Sequence, residues 1–305
     1  MTDAASSHSG RGPLFGIGLR LGATVSFALM AALIKLSSDR GVNAPELVFY
    51  RSLFALPPLL VWIAASRTPG RWRTQRPMAH VTRGAIGITS MFLSFGALTL
   101  LPLAEAVTLS FIAPLFAVAL SALVLGEPVG RHRWTAVAIG LLGVIVVMRP
   151  AGTGLSPLGL GLAVAGAMSV AAATITIRQI GRTESTQSIV LWFTLLCTAA
   201  GGATMPVFGQ WHDGTTWALL IVMGMFGGIG QLLMTASLRA ASVGAVVPFD
   251  YVHLIWAALL GWLIWDTHPR ATTWAGAAII IASGLYTIWR EHKLGREKPP
   301  APEPL

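Results

Sequence analysis

Residues 246–265 read VVPFDYVHLIWAALLGWLIW, apolar almost from end to end, yet Asp250 and His253 stand near the start. A helix of about 20 residues rises about 30 Å, the thickness of a bilayer's hydrocarbon core. A carboxylate inside that layer costs about 2.5–3.5 kcal/mol on insertion scales. It therefore needs a cationic partner, a wet cavity or a proton. The stretch thus predicts a membrane helix with a polar interior on one side.

The rest of the chain agrees. Of 305 residues, 54% are hydrophobic and 11% charged, and the mean hydropathy is +0.69. Soluble domains carry about 25% charged residues, so this chain has too few to solvate a surface. The net charge of +9 would suit nucleic acid, but the charges fall between apolar runs rather than along one face, which argues against that partner. The bilayer is the expected environment.

Windows of membrane-spanning length place ten helices near Leu14–Leu36, Pro45–Ser66, Val81–Leu100, Ala104–Leu125, Trp134–Met148, Pro157–Ile177, Ser188–Pro206, Thr215–Ser237, Ser242–Trp265 and Thr273–Trp289. Residues 1–13 read as a disordered tail and 291–305 as a basic, proline-rich cytoplasmic tail. No signal-peptide cleavage is expected. With the N-terminus inside, sixteen of the 21 Lys and Arg residues fall on the cytoplasmic side. The positive-inside rule then gives ten crossings with both termini in the cytoplasm.

AEAVTLSFIAPLFAVALSALVLGEPVGRHRW (104–134) and ASVGAVVPFDYVHLIWAALLGWLIWDTHPRATTW (241–274) share a plan. Each is a small, aliphatic span closed by an acid, Glu127 or Asp266, which is expected to bond at a helix end. A short loop with Pro, His and Arg follows, and then a Trp. The period is near 140 residues. Five spans per copy force the second copy upside down relative to the first. Inverted repeats are a common construction of secondary transporters, with the substrate site at the midplane between the halves.

LPLAEAVTLSFIAPLFAVALSALVLGE with the following WTAVAIGLLGVIVVMRP resembles the end of an EamA-type domain of the drug/metabolite transporter superfamily. Arg51 in ELVFYRSLFALPPLL matches the pattern of its second span. The resemblance covers two tandem domains, 14–149 and 150–290. It implies an all-α membrane protein, ten helices as two inverted five-helix repeats around a central cavity, moving small metabolites without ATP. Relatives carry amino acids, nucleosides, S-adenosylmethionine, riboflavin, metallophores or toxic compounds, so no single substrate follows. The second half departs from the pattern: Trp192 stands near the place of Arg51, and PFDYVH replaces the apolar stretch around Pro114.

Counted from a start near Ser242, Asp250 lies about 12 Å into its helix, close to the midplane. It is expected to bind a cationic part of the substrate or to carry a proton, with His253 three residues on assisting; the alternative is a structural carboxylate bonded to neighbouring helices. Arg51 is the candidate for a substrate carboxylate or phosphate, or for pairing with Glu46. Arg51 and Asp250 at different depths suit opposite ends of a zwitterion. Phe111, Tyr251 and Trp256 are candidate cavity aromatics. Lys35 is expected to snorkel and Glu105 to be solvated. Pro57, Pro114 and Pro248, with Pro58, are expected to kink their spans and act as bending points.

Other functions fit less well. No nucleophile–base set supports an enzyme. The lone Cys197 and the single Asp/His pair support no metal site and no cofactor is implied. A non-transporting membrane subunit is the alternative of another class. Gly18-x-x-x-Gly22 and Gly224-x-x-x-Gly228 suit close helix packing within the chain, or a homodimer face. The expected function is a secondary transporter of the inner membrane using alternating access, with proton-coupled export first and uptake or exchange second.

Overall fold

The computed structural model describes residues 13–65, 74, 76–125, 130–148, 154–181, 183–240 and 246–297. Every element among them is helical. They are α1 (Pro13–Asp39), α2 (Ala44–Leu53), α3 (Leu56–Ala65), α4 (Pro77–Leu100), α5 (Leu103–Ser110), α6 (Ala113–Leu125), α7 (Arg131–Met148), α8 (Pro157–Ile180), α9 (Thr186–Phe208) and α10 (Gly214–Ala240). A 3₁₀ turn, η1 (Val247–Tyr251), leads into α11 (Val252–Trp265), and α12 (Ala271–Glu297) follows. Among the described residues, eight stretches are long and apolar enough to cross a membrane, and Trp134–Met148 and Ala271–Thr287 are shorter apolar helices.

Three of the stretches are broken, and proline accounts for the places. Proline lacks an N–H and its ring collides with the carbonyl four residues back. Four residues before Pro57 is Leu53, where α2 ends; four before Pro114 is Ser110, where α5 ends. Pro248 lies in η1, whose tighter winding gives way to α-helix at Val252.

One expected boundary changes, and two expectations lie outside the described residues: the start of the ninth span at Ser242, since residues 241–245 are not described, and Glu127. Asp250 stands in the 3₁₀ turn that leads into α11. The last helix outruns its expected end at Trp289 and reaches Glu297. REHKLGRE contains good helix formers, and the first proline beyond it is Pro299.

The helices pack in antiparallel pairs: α1 with α10, α4 with α8, α7 with α12, and α2 with α9. Glycines make the closest approaches. A Cβ on Gly143 of α7 would lie 2.9 Å from the Gly276 carbonyl of α12. One on Gly224 or Gly228 of α10 would meet the Tyr50 or Ala55 carbonyl at 2.9 or 3.0 Å, so that glycine pair packs inside the chain. Large apolar side chains such as Leu123, Leu142, Leu263 and Trp289 point outward, as a lipid-facing surface requires. Gly143→Leu should push α7 from α12 and cost about 1–3 kcal/mol. A melting temperature unchanged in detergent would contradict that contact.

Candidate functional site

A cavity of about 220 Å³ lies among α1, α4, α5, α8 and α11. Phe27, Phe95, Ala163 and Ala167 form apolar wall, and Ser94, Ser110 and His253 are its polar side chains. No Asp, Glu, Lys or Arg stands among the lining residues. Both halves of the chain contribute. His253 lines the cavity, and its Nε2 is enclosed without a hydrogen-bond partner among the described residues. Phe111 stands edge-on to the His253 ring, with centroids 6.4 Å apart, and packs on Tyr251 at 5.1 Å.

Beyond one end of the cavity, Arg20 of α1 grips Asp250 through two parallel hydrogen bonds, from Nε to Oδ1 and from Nη2 to Oδ2. This bidentate fork is the strongest ion-pair geometry available to a carboxylate. Arg20 precedes Phe27 by seven residues, about 10 Å along the helix. The pair therefore ties α1 to η1 about one and a half to two helical turns from the cavity wall. Arg20 is buried, while the Asp250 side chain is 34% exposed. At the same end His80 of α4 faces Glu184 at 3.7 Å, and Thr74 donates to Glu184 at 2.8 Å.

The other end carries a denser polar layer. Lys35 Nζ donates to the carbonyls of Leu101 at 3.0 Å and Leu98 at 3.5 Å, capping the end of α4. Trp265 Nε1 donates to Asp39 at 2.6 Å. Glu105, expected to be solvated, is 5% exposed and accepts from Thr273 Oγ1 at 3.0 Å; the α5–α12 contact covers it. Glu46 is fully buried and completes the capping box of α2 with Asn43. It also accepts from the Gln210 amide at 2.8 Å and meets His212 Nε2 at 2.9 Å. Glu46→Ala would unpair several donors at once and should cost about 1–3 kcal/mol, raising solvent access to a reporter at residue 210. Unchanged access would count against this layer as a seal.

The sequence candidates separate accordingly. His253 lines the cavity. Asp250 lies beneath it, paired to Arg20. Phe111 touches His253, while Tyr251 reaches α12, where a side chain on Gly284 would strike its hydroxyl. Trp256 Nε1 is enclosed without a partner among the described residues. Arg51 lines a different, smaller pocket and does not pair with Glu46. Asp250 lines neither of these two pockets. Pro57, Pro114 and Pro248 each sit just after or within a helix break. Asp266 ends α11 in the left-handed conformation, φ 52°, and its carboxylate is exposed.

Arg20 was legible only as a cytoplasmic flanking charge. Its depth, seven residues past Pro13, was the signal that it could neutralise Asp250. His212 and Thr273 carried no local signal, since their partners lie more than 150 residues away.

The EamA-like transporter family matches residues 14–149 and again 157–289. A riboflavin transporter of Rhizobium johnstonii is 30% identical over 251 residues, covering 82% of this chain and 80% of that protein. The pseudopaline exporter CntI of Pseudomonas aeruginosa is 28% identical over 274 residues, covering 88% and 94%. An S-adenosylmethionine uptake transporter of Rickettsia felis is 29% identical over 299 residues, covering 96% and 97%. A crystal structure with 21% identity superposes with a TM-score of 0.60 over 90% of this chain and 98% of its own, a likeness of fold alone.

Proposed function

Because the chain belongs to the EamA-like transporter family, we propose that it works by alternating access in the inner membrane, as two inverted five-helix repeats crossing ten times with both termini in the cytoplasm. In this reading residues 14–149 and 150–290 are the repeats, the cavity holds the substrate, and the Arg20–Asp250 pair is the cytoplasmic latch. The observation that carries it is the cavity itself, walled by both halves and bounded by a polar layer at each end.

The packing supports the repeat. α2–α3, α5–α6 and η1–α11 each count as one span. Exchanging each span with the one five places along turns the α1–α10 contact into the α8–α4 contact. It also turns the α6–α8 contact into α1–α11, and α4–α9 into α10–α2; all of these occur. Two halves related in this way can exchange conformations, opening one end while closing the other.

The wall favours an amphipathic metabolite with a planar, uncharged portion. Phe27 and Phe95 would pack against such a ring, while Ser94, Ser110 and His253 would orient it by hydrogen bonds. Among the substrates named for its relatives, riboflavin fits that wall better than the cationic S-adenosylmethionine. For coupling, a proton on Asp250 would remove one charge of the latch and loosen it. Export driven by proton influx is the leading direction, and uptake is the alternative that the riboflavin relative favours.

The test is transport by the purified protein in liposomes, with riboflavin and S-adenosylmethionine offered from each side, with and without a pH gradient. Saturable riboflavin movement supports the reading. Movement of S-adenosylmethionine alone would overturn the substrate class. No movement of any metabolite from a cell extract would favour a non-transporting subunit.

A further inference from the structure

Two histidine–carboxylate contacts stand outside the cavity, one at each end of the bundle. At the Arg20 end, Nε2 of His80 on α4 lies 3.7 Å from Oε2 of Glu184. At the opposite end, Nε2 of His212 lies 2.9 Å from Oε1 of Glu46 on α2. All four side chains are buried, and none lines the cavity. A tryptophan ring lies beside each imidazole, Trp192 by His80 and Trp217 by His212. Each contact joins the first half of the chain to the second. Each also sits on a packed helix pair, α4 with α9 or α2 with α10.

Exchanging the halves turns one contact into the other. α2–α3 is the second span and α9 the seventh; α4 is the third and α10 the eighth. Glu46 is the third residue of α2, and Glu184 stands two residues before α9. His80 is the fourth residue of α4, and His212 stands two residues before α10. Both acids thus open the second span of their half, and both histidines open the third. The separations 46 to 184 and 80 to 212 lie near the repeat period.

The equivalent contacts differ in state. A separation of 2.9 Å is a hydrogen-bond length and 3.7 Å is not. Glu46 also accepts from the Gln210 amide, which ties the loop before α10 to α2. Neither ring nitrogen of His80 has a hydrogen-bond partner among the described residues. An enclosed imidazole without a bond is costly, and Glu184 is the acceptor it faces. Halves that exchange conformations exchange their made and unmade contacts as well.

We propose that Glu46–His212 and Glu184–His80 are alternating locks, each holding its own end shut while the other is released. This rests on the alternating-access reading given above. The four are positioning residues: they set which end of the cavity opens and do not touch the substrate. With the Arg20–Asp250 latch also made, the structure stands between the two open states.

The test labels a cysteine placed at Ala31, after Cys197→Ser, with a membrane-impermeant maleimide in right-side-out and inverted vesicles. His212→Ala should raise labelling from the Glu46 end and lower it from the Arg20 end. His80→Ala should do the reverse. Each should change the ratio of the two labelling rates about 10-fold, the effect of one buried hydrogen bond. The double variant should return the ratio toward wild type, which a general loosening of the fold would not do. His212→Gln, which keeps a donor, should retain most of the wild-type ratio. If both single variants shift the ratio the same way, or neither shifts it, or the double variant stays with one of them, the locks are overturned and alternating access stands. A cysteine labelled from one side only in every variant overturns alternating access and the locks with it. Should His80→Ala fail to fold, Glu184→Gln replaces it with the same expected direction.

Discussion

Asp250→Asn is expected to leave the transporter folded but open at the Arg20 end, with substrate movement reduced to near background. Removing one partner of a buried ion pair costs about 3–5 kcal/mol. Asp250 is a third exposed, so the loss belongs at the low end of that range. A shift of about 3 kcal/mol changes the ratio of two conformations roughly 10²-fold, enough to strand an alternating-access cycle in one state. Arg20→Gln should do the same. The double exchange Arg20→Asp with Asp250→Arg should restore closure, because the charges again attract across the same gap. The readout is thiol labelling of a cysteine placed at Ala31 on the cavity wall, after Cys197→Ser. Labelling from the Arg20 side should rise in both single variants and fall in the exchange. Acidification should increase labelling of the wild type, since protonating Asp250 weakens the pair, and should have no such effect in Asp250→Asn. Equal labelling in wild type and both single variants would remove the latch from the mechanism.

Ala167→Phe should abolish transport by a different route. Ala167 is 2% exposed to solvent and borders the cavity, so a ring there occupies substrate space. Overpacking costs about 1–3 kcal/mol, which as lost affinity is roughly 10- to 10²-fold. Leu142→Phe, on the outward face of α7 where the native side chain is 58% exposed, adds a ring without meeting the cavity and is the control. Transport should collapse in the first variant and persist in the second, with similar yields of folded protein. If Ala167→Phe transports normally, the substrate passes elsewhere.

These two sites were unequally legible. His253 was found because a histidine in an apolar span stands out, and it does line the cavity. Asp250 was found on the same ground, but its partner is Arg20, which the pattern of flanking charges had already absorbed. Arg51 drew attention as a buried cation, yet the pocket it lines is built with α9 and α10, whose adjacency to α2 no local pattern announces. Glu46 and Glu105 share that difficulty, since each carboxylate is satisfied across the bundle.

The sequence by itself determined what is local: the apolar lengths that call for a membrane, the helical state of each stretch, and the breaks four residues ahead of Pro57 and Pro114. Each follows from solvation or from backbone geometry within a few residues. The tertiary structure alone decided which polar groups meet. In lipid, hydrophobicity does not sort one helix face from another, so partner choice rests on close packing at small residues such as Gly143, Gly228 and Gly276. Packing across the bundle, and no local pattern, brings Arg20 to Asp250 and places Arg51 beside a separate pocket.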